Sequence, residues 1–203
     1  MKTGDKRVKA RQRAVDETVS AVRAIERSLG VTREGINAIK EELIKLAQKS
    51  DLFPIEDFPP PNRTDLRPNV LYLISEDPDK RFALYVTASH RRYLTAPHNH
   101  QTWAVIVGIQ GGEPNIFYKK TEDGGVEITG RDTVSLGKGV AFMPEDIHAL
   151  DIPGVEPVIN FHMYGLGLPY LDKRQYYNER DNTWHYFPAI TNIQDARASN
   201  HAS

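Results

Sequence analysis

His98 and His100 stand two residues apart in Pro97-His98-Asn99-His100, and His148 closes the stretch Met143-Pro144-Glu145-Asp146-Ile147-His148. Along an extended chain, residues i and i+2 point to the same face, so two imidazoles at this spacing can share one metal ion. His148 follows a short apolar run and a turn, a position from which a neighbouring strand could supply a third ligand. Imidazole suits iron, zinc, copper and nickel. Such a pair also fits structural histidines. A second group lies downstream, where Asn160, His162 and Tyr164 alternate with Phe161 and Met163. Period two puts the three polar groups on one face and the apolar pair on the other. Buried polar groups must find partners, so the alternation points to a polar cavity or to a hydrogen-bonded pair within a core. The chain has no cysteine, which excludes disulfides, thiolate metal sites, iron–sulfur clusters and a cysteine nucleophile.

The elements that must position these residues follow from the hydrophobic pattern. Val15, Val19, Val22, Ile25 and Leu29 recur at spacings of three and four, so residues 7–29 read as a helix with one apolar stripe. Gly30 is a stop signal. Thr32 is an N-cap for a second helix reaching about residue 49, with Ile36, Ile39, Leu43 and Leu46 on one face. Leu29-Gly30-Val31-Thr32 has the outline of a helix-turn-helix, but two helices packed on a body explain the same pattern. Pro54, Pro59, Pro60, Pro61 and Pro68 mark an extended linker. Short apolar runs follow at 70–74, 82–87, 103–109, 116–119, 126–128, 140–143 and 158–164, separated by turn residues. Strands of this length and spacing indicate an antiparallel sandwich or barrel. The expected organisation is a helical extension over 1–50, a linker over 51–69 and a β domain over 70–203, whose aromatic tail from Pro169 carries no assigned element.

Lys and Arg number 26 against 27 Asp and Glu among 203 residues, a balance that argues against a dedicated nucleic-acid binder. The charges are unevenly spread. Residues 1–49 carry five more basic than acidic groups, and the remainder six more acidic than basic. The run Lys2, Lys6, Arg7, Lys9, Arg11 and Arg13 could be a partner-binding arm. It is short and has no interleaved aromatics, so a helix docked on an acidic body is expected instead. No apolar stretch is long enough to span a membrane, and no apolar segment of a secretory signal follows the basic start. With no disulfide-forming residue, a cytoplasmic location is expected.

Taken together, His98-Asn99-His100-Gln101-Thr102-Trp103, the later His148 and His162-Met163-Tyr164-Gly165 resemble the thiol dioxygenases of the cupin superfamily. These are the cysteine dioxygenase-like enzymes, and the bacterial 3-mercaptopropionate dioxygenase branch is nearest in appearance. The resemblance spans roughly residues 70–165 and implies a mainly β protein, a cupin double-stranded β-helix of the jelly-roll kind, here behind a pair of N-terminal α-helices. Ordinary cupins have a glutamate four or five residues after the second histidine of the pair. Ala104 and Val105 stand there and cannot bind a metal.

The resemblance implies non-haem Fe(II) held by His98, His100 and His148, with His162 and Tyr164 beside the metal and Asn160 where the family has serine. An amide can still bond a histidine ring. The missing cysteine means that the crosslinked tyrosine of some members cannot form. The arginine that grips carboxylate in the cysteine-specific branch would fall near Tyr72. The mercaptopropionate branch has an arginine shortly after the tyrosine, where Lys173 and Arg174 lie. Arg174 is therefore the first candidate clamp for a substrate carboxylate, with Arg91 and Arg92 as alternatives and Trp103 as a cavity wall. Three neutral imidazoles leave the Fe(II) charge uncompensated, which suits an incoming thiolate.

The expected enzyme is thus an oxidoreductase that adds both atoms of O2 to a small thiol, with a mercapto-carboxylic acid as the first substrate class. A non-catalytic small-molecule-binding cupin and a cupin metalloenzyme of other chemistry, using nickel, manganese or zinc, remain open beside it. So does a homodimer through a sheet edge or the helix pair. His90, His185 and His201 are left without a role.

Overall fold

The aliphatic stripe near the N-terminus builds helix α1 (Thr3–Leu29), which starts one turn earlier than the stripe requires. Gly30 ends it with a positive φ of 65°, and its N–H donates to Glu26 O at 2.8 Å. Thr32 caps α2 (Arg33–Ala47) by accepting from Gly35 N at 3.0 Å. Ile36, Ile39, Leu43 and Leu46 of α2 are fully buried, each contributing about 1.5–3 kcal/mol of apolar burial. The computed structural model describes residues 3–62, 64–188 and 190–197; His201 lies outside them. Among the described residues, no helix is long and apolar enough to cross a membrane.

The strands are β1 (Asn69–Ser75), β2 (Arg81–Ser89), β3 (Tyr93–Leu94), β4 (Ala104–Gln110), β5 (Glu113–Lys120), β6 (Val126–Val134), β7 (Gly139–Phe142), β8 (Ile147–Ile152), β9 (Val158–Leu166), β10 (Gln175–Asn178), β11 (Thr183–Tyr186) and β12 (Gln194–Asp195). They form a six-stranded sheet in the order β12-β1-β2-β9-β4-β7, a four-stranded sheet β3-β8-β5-β6 and the hairpin β10-β11. All pairings are antiparallel except β1 with β12. This is the double-stranded β-helix anticipated from the sequence.

Alternation divides the larger sheet into two faces. Val105, Val107, Phe161 and Met163 point outward and join Val15, Val19, Val22 and the α2 aliphatics in one core. Ala104, Ile106, Ala83, Tyr85 and Tyr164 point into the barrel. The helices therefore cover the outer face of a sheet whose inner face is free to line a cavity. The proline-rich stretch is pinned rather than merely extended. Phe53 and Phe58 are buried in the shared core, with the Phe53 ring edge-on to Phe161 at 4.7 Å.

The basic face of α1 docks on acidic groups of the body. Arg7 and Arg11 both bond Asp57, at 2.8 and 2.7 Å, and Arg23 pairs with Asp77. Arg33, at the start of α2, pairs with Asp146 in the turn that leads to His148.

One expectation is corrected and two open points are filled in. The segment carrying His98 and His100 is not a regular strand; it approaches β4, and Gln101 breaks it with a φ of 57°. His148 comes from a neighbouring strand as expected, and that strand, β8, runs through the whole of Ile147-His148-Ala149-Leu150-Asp151-Ile152. The aromatic tail folds into the β10–β11 hairpin. Its Tyr177 N–H donates to Pro97 O at 2.8 Å.

Candidate metal centre

His98 and His148 are paired across the barrel by reciprocal backbone hydrogen bonds. This brings β8 against the His98–His100 segment. All three side chains are buried, and one ring nitrogen of each lies within 4.8 Å of the others. Three nitrogens sharing one ion sit roughly 3 Å apart, so small ring rotations close the set. The His100 and His148 Nε2 atoms are already 3.3 Å apart.

The outer ring nitrogens explain why the inner ones converge. His98 Nδ1 is 2.9 Å from Ala96 O, and that carbonyl can only accept, so Nδ1 donates. His148 Nδ1 is 2.8 Å from Asn115 Oδ1 on β5, again an acceptor. Both rings thereby keep Nε2 as the lone-pair nitrogen, the arrangement in which metal-binding histidines are usually held. His100 Nδ1 is buried without a hydrogen-bond partner among the described residues. Burial, with further lowering from neighbouring cationic groups, moves His98 down to about 3 and His100 and His148 well below the usual imidazole value. The rings are neutral, as ligation requires. Ala104 points into the barrel beneath them and offers no donor, so the set is three-histidine rather than two-histidine-one-carboxylate. The donor set fits a borderline transition-metal ion.

The group opens into a cavity of about 590 Å³. His162 and Tyr164 line it from β9, with His162 Nδ1 3.3 Å from Tyr164 Oη. Burial pushes the Tyr164 hydroxyl up to about 12, against a lowering by Arg174. Apolar walls come from Leu71, Ile106, Leu150, Leu168 and Ile190.

Arg174 also lines the cavity and is only 6% exposed. It stands just before β10, whose first residue is locked to the three-histidine group: Gln175 N–H donates to Asn99 Oδ1 at 3.0 Å, between His98 and His100. Its guanidinium carbon lies 5.0 Å from the centre of the Phe187 ring. Arg174 Nε has no hydrogen-bond partner among the described residues. Among those residues no Asp or Glu lines the cavity, while Arg67 lies near its rim, tied to Asp65.

The remaining residues singled out from sequence fall as follows. Asn160 is buried on the same face as His162 but does not line the cavity; its Nδ2 donates to Glu113 Oε2 at 2.7 Å. Arg91 lies outside the cavity lining, bonded to Asn62 O at 3.4 Å. Arg92 and Lys173 are exposed. Trp103 is not a cavity wall. It faces the helices, and its Nε1 donates to Glu26 Oε1 at 2.9 Å. The physical reason is parity, since Trp103 shares the outward face of Val105 and Val107. Tyr72 also points outward, donating to Pro59 O at 2.6 Å. His185 is half-buried and 2.8 Å from Asp181, and His90 is partly buried away from the group.

Sequence reasoning missed Glu113, Asn115 and Phe187. The first two share parity on β5 with Phe117, which stands opposite His148. That alternation is the signal that could have placed them on the inner face.

No protein-family model and no curated protein sequence matches the chain. Solved structures do resemble it. One is the cupin domain of an XRE-family transcriptional regulator from Enterobacter cloacae, 18% identical over 48% of this chain and 96% of that one, at a TM-score of 0.36. A second is an uncharacterised conserved protein with a double-stranded β-helix domain from Klebsiella pneumoniae, 14% identical over 67% and 96%, at 0.40. A third is a hydroquinone 1,2-dioxygenase from Sphingomonas sp. TTNP3, 7% identical over 51% and 69%, at 0.40. By its own topology and side chains, the chain is a double-stranded β-helix with two N-terminal helices and a buried three-histidine group open to one cavity.

Proposed function

We propose that the protein is a non-haem Fe(II) thiol dioxygenase acting on a small mercapto-carboxylic acid, by the overall reaction R–SH + O2 → R–SO2H. The observation that carries this reading is the sharing of one cavity by three neutral imidazoles, the His162–Tyr164 pair and a buried arginine. His98, His100 and His148 would hold the metal. Bound Fe(II) would supply a Lewis-acidic, redox-active centre for a thiolate and O2.

The chain's own groups do the rest. Arg174 binds and orients the substrate carboxylate, for which a planar, buried guanidinium provides two parallel donors. Tyr164 Oη, held by His162 Nδ1, sets its oxygen against the reacting end of the substrate. The aliphatic walls exclude water. Among the described residues no Asp or Glu lines the cavity, so an ammonium group has no direct carboxylate partner there, and thiols bearing one bind less well.

The test is O2 uptake by iron-loaded protein with 3-mercaptopropionate, mercaptosuccinate, cysteine and cysteamine. Turnover is expected with the two acids and little with cysteamine. No uptake with any of the four would overturn the assignment. A second reading, a cupin oxygenase of other chemistry, draws on the cavity, whose volume of about 590 Å³ and aliphatic walls also suit a bulkier apolar substrate.

A further inference from the structure

Glu113 opens β5 with its side chain inside the barrel, only 2% exposed. A buried carboxyl is costly unless it is bonded, so its partners reveal its use. Asn160 Nδ2 donates to Oε2 at 2.7 Å. Asn115 Nδ2 donates to the Glu113 backbone oxygen at 3.1 Å and lies 3.5 Å from Oε1. A further neighbour is His162, whose Nε2 stands 3.9 Å from Oε2 and has no hydrogen-bond partner among the described residues.

The carboxyl therefore faces both ends of the machinery. Through Asn115 it reaches His148 Nδ1, and directly it faces the ring whose other nitrogen meets Tyr164. A carboxyl oxygen beside Nε2 favours a proton on that nitrogen. With Nε2 protonated in the neutral ring, Nδ1 must accept, and the donor it faces is the Tyr164 hydroxyl. Asn160, by holding Oε2, fixes where that oxygen stands.

We infer that Glu113 is a positioning residue. Anchored by Asn160, it holds His162 as the Nε2–H tautomer, so that Nδ1 accepts a hydrogen bond from the Tyr164 hydroxyl and fixes the direction in which Tyr164 Oη presents its lone pairs to the cavity.

The tautomer is read by ¹⁵N NMR of histidine-labelled, metal-free protein, a measurement that does not depend on the proposed activity. The wild type is expected to show His162 Nε2 protonated and Nδ1 as the acceptor. In Glu113→Ala that preference is lost. Glu113→Gln keeps an acceptor for Asn160 and serves where the alanine variant fails to fold; its preference weakens in the same direction. An Nδ1–H tautomer in the wild type, or wild-type His162 signals in the folded variants, would overturn the inference.

Its kinetic consequence rests on the dioxygenase reading. Glu113→Gln should lower turnover on the order of tenfold with the thiol KM little changed. If the wild type turns over no thiol, that reading fails while the NMR result still decides the role of Glu113.

Discussion

His98 and His148 exchange both backbone hydrogen bonds, His98 N–H to His148 O at 2.8 Å and His148 N–H to His98 O at 3.0 Å. Two histidines fifty residues apart in the chain thus occupy one register position. The β8 strand cannot slip by a residue without turning His148 away from the others. Arg33 contributes from outside by pairing with Asp146, whose other oxygen accepts from Met143 N at 2.8 Å and so closes the turn before β8.

Metal retention should depend on this pairing. His148→Ala removes a ligand and is expected to abolish stoichiometric metal binding, measured by elemental analysis after loading with Fe(II) or Zn(II). Asn115→Ala leaves all three ligands but frees the His148 ring, and should weaken affinity by about 10–100-fold. Full metal content in His148→Ala would remove that residue from the ligand set.

The metal-free protein should lose stability as the pH falls. In the unfolded chain each histidine takes up a proton near its ordinary value of 6.5, whereas burial holds His98 at about 3 and His100 and His148 well below 6.5. The unfolded state therefore binds more protons below about pH 6.5. Stability is fully present above that value and declines below it, at up to about 4 kcal/mol per pH unit for three groups. Thermal melts from pH 8 to 5 measure the slope. Replacing His98 with Phe should reduce it by about a third of the three-group contribution.

Arg174 should govern substrate binding more than folding of the centre. Arg174→Gln removes the charge and one donor fork. The KM for mercapto acids should then rise on the order of tenfold or more, with metal content unchanged. Arg174→Lys should not restore the wild-type value, because an ammonium cannot offer two parallel donors. Steady-state kinetics with 3-mercaptopropionate provide the check, and an unchanged KM in both variants would place the carboxylate elsewhere.

Glu26 should matter for stability. It accepts from Trp103 Nε1 at 2.9 Å and also pairs with Arg81. Glu26→Ala leaves the indole N–H buried and unpaired, at a cost of about 1–3 kcal/mol. Denaturant titration measures that loss. The thiol KM should stay at the wild-type value, since Trp103 faces α1 rather than the cavity.

Period two and helical stripes made much of this molecule legible beforehand. The alternation of Asn160, His162 and Tyr164 and the facing stripes of α1 and α2 follow from side-chain geometry, whereas His98 and His100 converge from an irregular segment that the strand rule does not describe. What escaped did so for physical reasons. The resemblance makes Trp103 a cavity wall, although its parity with Val105 and Val107 places it outward. Glu113 follows two glycines and reads as a solvated turn residue until the barrel closes around it. The hairpin from Gln175 to Tyr186 is held by long-range contacts, such as Tyr177 to Pro97 and Gln175 to Asn99, which no local pattern announces.

That hairpin has an engineering consequence. Arg174 and Phe187 sit at its two ends, joined by the Phe187 N–H to Arg174 O bond at 2.9 Å, and the whole segment attaches to the metal group chiefly through Asn99 and Pro97. On the dioxygenase reading the carboxylate clamp is thereby carried on an exchangeable hairpin, while the imidazoles belong to the barrel. Grafting a different hairpin between Leu171 and Pro188 would retune selectivity while leaving the ligand set intact, so the two properties can diverge independently.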